Sequence, residues 1–248
     1  MRVLATYNIK GGVGKTSAAV NLAYLAALEG NRTLLWDLDP QGAATFLFRV
    51  RPRVKGGVKG LVRGRVKLDA PIKGTDFDNL DLLPADFSYR NMDLALDRAK
   101  HPVRRLSQLL EPLAAEYDVL ILDCPPSVSL VSEGVLRAAD TLLVPLVPTT
   151  LALRSFDQLI AFVAQAKPPR PRILAFFSMV DRRKRLHWET IAQVTAERPD
   201  IAKAVVPGAS VVEQMGPRRL PVLVLAPSSE ASAAYEKLWA EARDLFQR

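Results

Sequence analysis

Short apolar, often β-branched runs alternate along the chain with segments whose apolar positions recur every three to four residues. The short runs predict strands at 2–7, 33–36, 80–83, 119–122, 141–146 and 173–177, since continuous apolar stretches of this length suit strands buried on both faces. The longer periodic segments predict helices at 16–29, 91–99, 103–117, 129–138, 151–166, 187–197 and 230–246. Gly30 is placed to cap the first of these helices. The alternation implies an α/β fold, a mainly parallel, twisted sheet flanked by helices. The 248 residues suffice for one domain over 1–248, and no repeat or low-complexity linker divides them.

Two segments carry more than this alternation. Residues 49–67 hold Arg49, Arg51, Arg53, Lys55, Lys59, Arg63, Arg65 and Lys67 with no acidic residue. Four glycines within that stretch read as a mobile loop or irregular hairpin. The last helix sets Tyr235, Leu238, Trp239, Ala242, Leu245 and Phe246 on one face, which predicts docking onto the body of the protein. Glu236, Glu241 and Asp244 dilute its basic side, which argues against a membrane anchor.

Composition narrows the function. The 34 Lys+Arg against 26 Asp+Glu give a net charge of +8, a balance that favours polyanionic partners and also suits a solvated basic surface. Cys124 is the sole cysteine, so an intrachain disulfide is excluded and a cysteine-held zinc or iron–sulfur site within one chain is not expected. The run at 142–147 is interrupted by Pro145 and falls well short of the roughly 18 apolar residues of a membrane span. The amino-terminal apolar run stops at Asn8 without a signal-peptide pattern. A cytoplasmic protein without stable membrane association is the expectation.

The chemistry concentrates in three loops. Lys10-Gly11-Gly12-Val13-Gly14-Lys15-Thr16 lies between a predicted strand and a predicted helix. Glycines there let backbone N–H groups converge on phosphate oxygens, and the helix start adds partial positive charge. Lys15 can neutralise the β and γ phosphates, and Thr16 offers a hydroxyl to Mg²⁺. The phosphate-binding set is therefore Lys10, Gly11, Gly12, Val13, Gly14, Lys15, Thr16 and Ser17. The glycine usual five positions before Gly14 is replaced by Ile9, and a second lysine, Lys10, opens the loop instead.

Asp37-Leu38-Asp39-Pro40-Gln41-Gly42 follows the second predicted strand, where open α/β sheets bind ligands. Asp39 is placed to orient a water toward a γ phosphate, although either aspartate alone would also serve as a turn cap. Val119-Leu120-Ile121-Leu122-Asp123 is an apolar strand ending in one acid, the layout that faces Mg²⁺ directly or through water. Cys124 reads as a packing residue, because no base is identifiable beside it.

Lys-Gly-Gly-x-Gly-Lys-Thr resembles the deviant phosphate loop of the ParA/MinD superfamily. Asp37–Gly42 and Asp123-Cys124-Pro125-Pro126 resemble the two switch segments of ParA-type partitioning ATPases. The resemblance extends along nearly the whole chain. It implies ATP and Mg²⁺ as cofactors and an ATP-bound homodimer in which Lys10 reaches the partner's nucleotide. It assigns catalytic roles to Lys10, Lys15 and Asp39, and metal roles to Thr16 and Asp123. It also implies nonspecific DNA as a partner, nucleoid association, and a ParB-like or cargo-adaptor protein that stimulates hydrolysis. Residues 221–235 resemble the family's C-terminal strand and helix, and 206–222 match in length the stretch that holds adenine, which points to Pro207, Ala209 and the strand-end Met179. Relatives often carry Arg-Asn and a further arginine in that stretch, where this chain has Gly208, Ala209 and Val211. The DNA candidates are therefore Arg182, Arg183 and Arg185, Arg218 with Arg219, Arg170 with Arg172, and the basic segment at 49–67, each cluster alone reading more readily as a solvated charged face. A MinD-like membrane-surface ATPase and a regulatory ATPase without DNA are the alternatives.

Overall fold

The computed structural model describes residues 1–246. Its strands are β1 (Arg2–Thr6), β2 (Thr33–Asp37), β3 (Lys73–Gly74), β4 (Leu80–Leu83), β5 (Val119–Asp123), β6 (Thr141–Leu146), β7 (Arg172–Val180) and β8 (Ile201–Pro207). They form one sheet in the order β3-β4-β2-β5-β1-β6-β7-β8. Every pairing is parallel except that of β3 with β4. Such strands are covered on both faces, which is why Leu34, Leu35, Leu120, Ile121, Leu142 and Leu143 are all buried whichever way they point.

Helices α1 (Lys15–Leu28) and α2 (Ala43–Leu47) cover one face of the sheet together with α9 (Ser210–Arg218), α10 (Val222–Leu225) and α11 (Glu230–Asp244). The other face carries α3 (Gly57–Val62), α4 (Met92–Asp97), α5 (Pro102–Leu110), α6 (Leu130–Ala138), α7 (Thr150–Gln165) and α8 (Arg185–Glu197). β1 lies between β5 and β6, and the chain leaves β1 toward one edge and β5 toward the other. That reversal opens a crevice at the strands' carboxyl ends. Thr6 and Asp37 both stand opposite Asp123, so three polar side chains end at one level there.

Buried Asn21 joins the two ends of the chain. Its Nδ2 donates to the Ser17 carbonyl at 2.7 Å, and its Oδ1 accepts the N–H of Val222 at 2.8 Å.

Three expectations are corrected. The 49–67 segment is folded: Val54, Val58, Leu61 and Val62 are buried and carry α3 into the core. The expected C-terminal strand near residue 221 is the short helix α10, entered from Pro221. The single helix expected over 103–117 ends as α5 at Leu110 and continues as a 3₁₀ turn over Glu111–Ala115, where Pro112 supplies no N–H. Strands β3 and β8 and helix α9 had no counterpart in the periodicity reading.

Candidate functional site

The loop from Tyr7 to Gly14 is set by local constraints. Buried Asn8 accepts the Lys10 N–H at 3.0 Å and donates to the Pro145 carbonyl at 2.8 Å, fixing the loop's base against β6. Gly12 and Gly14 have φ of 69° and 94°, in the left-handed region that favours glycine. A side chain on Gly14 would also collide with Ser178, since its Cβ would lie 2.7 Å from Oγ. Gly14 caps α1 without a side-chain hydrogen bond, so the first amides of that helix stay open to an anion.

Lys15 is buried, and its Nζ donates to the Lys10 carbonyl at 2.9 Å. Burial lowers its pKa, while the charges of Asp123 and Asp39 act in the opposite sense. The Lys10 side chain is half-buried at the loop's start.

The three acids are not equivalent. The Asp37 carboxylate is committed to structure: Oδ2 accepts the Thr45 N–H at 2.8 Å and the Thr45 hydroxyl at 2.7 Å. Thr45 Oγ1 in turn accepts the Ala85 N–H at 2.8 Å, tying the acidic loop to the end of β4. Asp39 is half-buried and accepts the Gln41 N–H at 2.9 Å. Asp123 is buried beneath the phosphate loop, and its Oδ2 has no hydrogen-bond partner. Burial, then the charge of Asp37, raises the Asp123 pKa; the Thr16 hydroxyl beside it pulls the other way. Burial also raises that of Asp37. Cys124 is buried and its thiol pushed well up by burial, which suits packing rather than nucleophilic attack.

A cavity of about 370 Å³ opens over this loop. Gly11, Gly12, Gly14, Lys15, Thr16, Ser17, Asp39, Met179, Pro207 and Ala209 line it. Val13 is buried behind the loop, and Lys10 and Asp123 flank the cavity without lining it. Sequence reasoning missed Pro126, Ser178, Gly208, Glu213 and Tyr235 in the same lining. One of these carried a signal in being a glycine: a Cβ on Gly208 would sit 3.3 Å from the Met179 carbonyl oxygen.

The candidate arginines lie outside the cavity. Arg182 pairs with Glu230, Arg183 with Asp181 at 3.1 Å, and Arg185 with Glu189 at 2.6 Å. Arg218 ends α9, and the guanidinium of Arg219 stacks over Phe46 at 4.0 Å.

A central parallel strand, a glycine-rich loop with a buried lysine, a helix start open to anions and a strand-end aspartate define the P-loop class of nucleoside triphosphatases. A family model described as an AAA domain matches residues 1–173. The chain is 34% identical to the chromosome partitioning protein ParA of Caulobacter vibrioides, with 100% of this chain and 95% of that protein covered. It is 31% identical to the sporulation initiation inhibitor protein Soj of Bacillus subtilis, covering 94% and 95% respectively. Among solved structures, cobyrinic acid a,c-diamide synthase of Mycobacterium smegmatis, with a bound ATP analogue and magnesium, superposes with a TM-score of 0.84 at 26% identity, covering 100% of this chain and 96% of that one. The chain belongs to the ParA/Soj-type family of partitioning ATPases.

Proposed function

We propose that the protein is a Mg²⁺-dependent ATPase of one domain that dimerises around two ATP molecules, binds DNA without sequence preference as that dimer, and releases it on hydrolysis. The observation that carries this reading is the orphaned Oδ2 of Asp123 beneath a loop whose lysine, threonine and open amides face one cavity. A buried carboxylate oxygen without a partner is costly. A magnesium–triphosphate fits that donor set: Thr16 and Asp123 would hold the metal, directly or through water, and Mg²⁺ typically takes few protein ligands. When bound, Mg²⁺ neutralises triphosphate charge and polarises the phosphoryl oxygens.

The chain's own residues divide the remaining work. The amides of Gly11, Gly12 and Gly14 to Ser17 cradle phosphate, and Lys15 exchanges the Lys10 carbonyl for phosphate oxygens. Asp39 holds the attacking water, a role open to it because the Asp37 carboxylate is already committed to Thr45. Met179, Pro207 and the backbone of Ala209 wall the cavity where an adenine would lie. Lys10 serves the partner's nucleotide in the dimer, which supplies positive charge where charge develops in the transition state. Arg182, Arg183, Arg185, Arg218 and Arg219 contribute to the DNA-facing surface. A ParB-like or cargo-adaptor protein stimulates hydrolysis, and the cycle positions chromosomal, plasmid or other cargo on the nucleoid. Family membership and the net charge of +8 support these partners.

The test is light scattering coupled to gel filtration, with ATP and Mg²⁺. Wild type is expected to run as a dimer, and Lys10→Ala as a monomer that still binds ATP. A wild type that stays monomeric with ATP bound would remove the dimer from this reading.

A further inference from the structure

A further strongly charged surface is carried by residues 51–67, which meets the 218–219 arginines only where Arg51 and Arg219 line one hollow. The seven cations from Arg51 to Lys67 are all exposed, and among the described residues none forms an ion pair with an acid. The 182–185 cluster differs, because three of its cations are already paired with Glu230, Asp181 and Glu189. Cations without partners keep their full charge toward solvent, and polyanion affinity depends on that.

The charge is also held in place. Val58 and Leu61 bury one side of α3, and Gly57 and Gly60 fit closely against Ser88 and Val66. The Arg105 guanidinium of α5 donates to the Val62 carbonyl at 2.6 Å, joining the end of α3 to the next layer. That junction brings a second basic group, from the turn between α4 and α5, alongside the first. Arg63, Arg98, Lys100, His101 and Arg105 line one concavity of about 540 Å³. Arg105 also lines a second of about 520 Å³ with Lys67, and Lys67 a third of about 560 Å³ with Lys55 and Arg65. Three adjoining hollows thus make one basic trough, with Asp69 and Glu116 as the acids along it. The trough shares no lining residue with the nucleotide cavity.

We infer that the trough formed by α3, the loop after it and the α4–α5 turn is a nucleotide-independent binding surface for the phosphate backbone of duplex DNA. A row of cations spread over successive hollows matches a polymer of evenly spaced charges better than a single small anion, which would need convergent donors. No phenylalanine, tyrosine or tryptophan lines any of the three hollows, so base stacking on single strands lacks its usual large aromatic platform there. The surface goes beyond the proposed ATP cycle, since it requires neither nucleotide nor dimer. It would keep the released protein weakly on DNA between cycles.

The experiment is fluorescence anisotropy of a labelled 30-base-pair duplex of arbitrary sequence, titrated with full-length, nucleotide-free protein across a salt series. Failure of the ATP-dimer reading therefore leaves the result intact. The variant Arg63→Gln/Lys67→Gln/Arg98→Gln is expected to bind more than about tenfold more weakly at low salt. Its log–log salt slope should flatten by up to about 2.7, at about 0.9 for each phosphate no longer neutralised. Lys55→Gln/Arg65→Gln gives a second, independent reading if the triple variant melts early. Arg182→Gln/Arg183→Gln/Arg185→Gln is expected to change the nucleotide-free slope less than either. Nucleotide-free wild type that ignores the duplex, or trough variants with unchanged affinity and slope, would overturn the assignment. So would trough variants that lose binding to phosphatidylglycerol vesicles while keeping the duplex, which would make the trough a membrane surface.

Discussion

Asp37 and Asp123 stand in register at the ends of adjacent parallel strands, and their carboxylates have opposite fates. Both oxygens of Asp37 accept backbone or hydroxyl hydrogens, from Thr45 and from the Asp39 N–H at 3.3 Å. Asp123 leaves Oδ2 unmatched. Two buried acids side by side disfavour double ionisation, so the pair is held under charge strain that a divalent cation would relieve.

That strain has a pH signature in nucleotide-free protein. Burial, followed by the neighbouring Asp37 charge, lifts Asp123 to about 8. A carboxyl that holds its proton more tightly folded than unfolded contributes most stability below the ordinary carboxylate range. The contribution is lost as pH rises from about 4, the unfolded value, through about 8. Asp123→Asn removes the charge and keeps the shape. Its melting temperature is expected to exceed that of wild type at pH 8, on the order of 5 °C, and to converge with it near pH 5. Thermal melts across this range check the prediction; parallel pH curves for the two proteins would contradict it.

Lys15→Ala removes the buried ammonium of the loop. Charge-assisted hydrogen bonds contribute about 1.5–3 kcal/mol each, and losing two to phosphate corresponds to more than about a hundredfold in ATP affinity. Calorimetric titration with ATP and Mg²⁺ measures this directly. Affinity within a few fold of wild type would remove Lys15 from the site.

Asp39→Ala is expected to separate binding from chemistry. Nucleotide affinity should stay within about threefold, because other residues carry the phosphates. Hydrolysis should fall about 10²–10⁴-fold, the usual contribution of a positioned acid–base group. Phosphate release under saturating ATP reads the effect, and an unchanged rate would reassign the attacking water to another group.

Leu61→Ala tests whether the basic segment is part of the core. Leu61 is 1% exposed, and truncating a buried leucine costs about 2–5 kcal/mol. Urea unfolding of this variant is expected to show that loss. A cost under about 0.5 kcal/mol would mean that α3 rests on the surface instead.

The phosphate loop and both acidic strand ends were legible because their chemistry is local: glycines, lysine and threonine at fixed spacing between a strand and a helix. Six strands of the sheet were legible from apolar runs alone, whereas β3 and β8 were not. What escaped depends on residues distant in sequence. Gly56, Gly57, Gly60 and Gly64 look like a flexible stretch, but Gly57 and Gly60 admit close approach of Ser88 and Val66. The apolar run at Val222–Leu225 suits strand or helix equally, and its first N–H is claimed by Asn21, two hundred positions earlier. Ser178, Glu213 and Tyr235 reach the cavity from a strand end and two helices that no local motif marks. Local spacing likewise could not show that Asp37 is satisfied by Thr45 while Asp123 is not.

The Asn21 amide gives the chain's architecture a last consequence. The segment matched by the family model stops at residue 173, one residue past the start of β7. Yet the first helix takes its carboxyl-side anchor from Val222, and α11 packs directly against it. Cutting the chain at that point would strip a continuous hydrophobic wall from α1, exposing its apolar face to water and removing the partner of the Asn21 amide oxygen. The stretch matched by the family model is thus not a body able to stand alone, and its grip on phosphate is braced from the far end of the polypeptide.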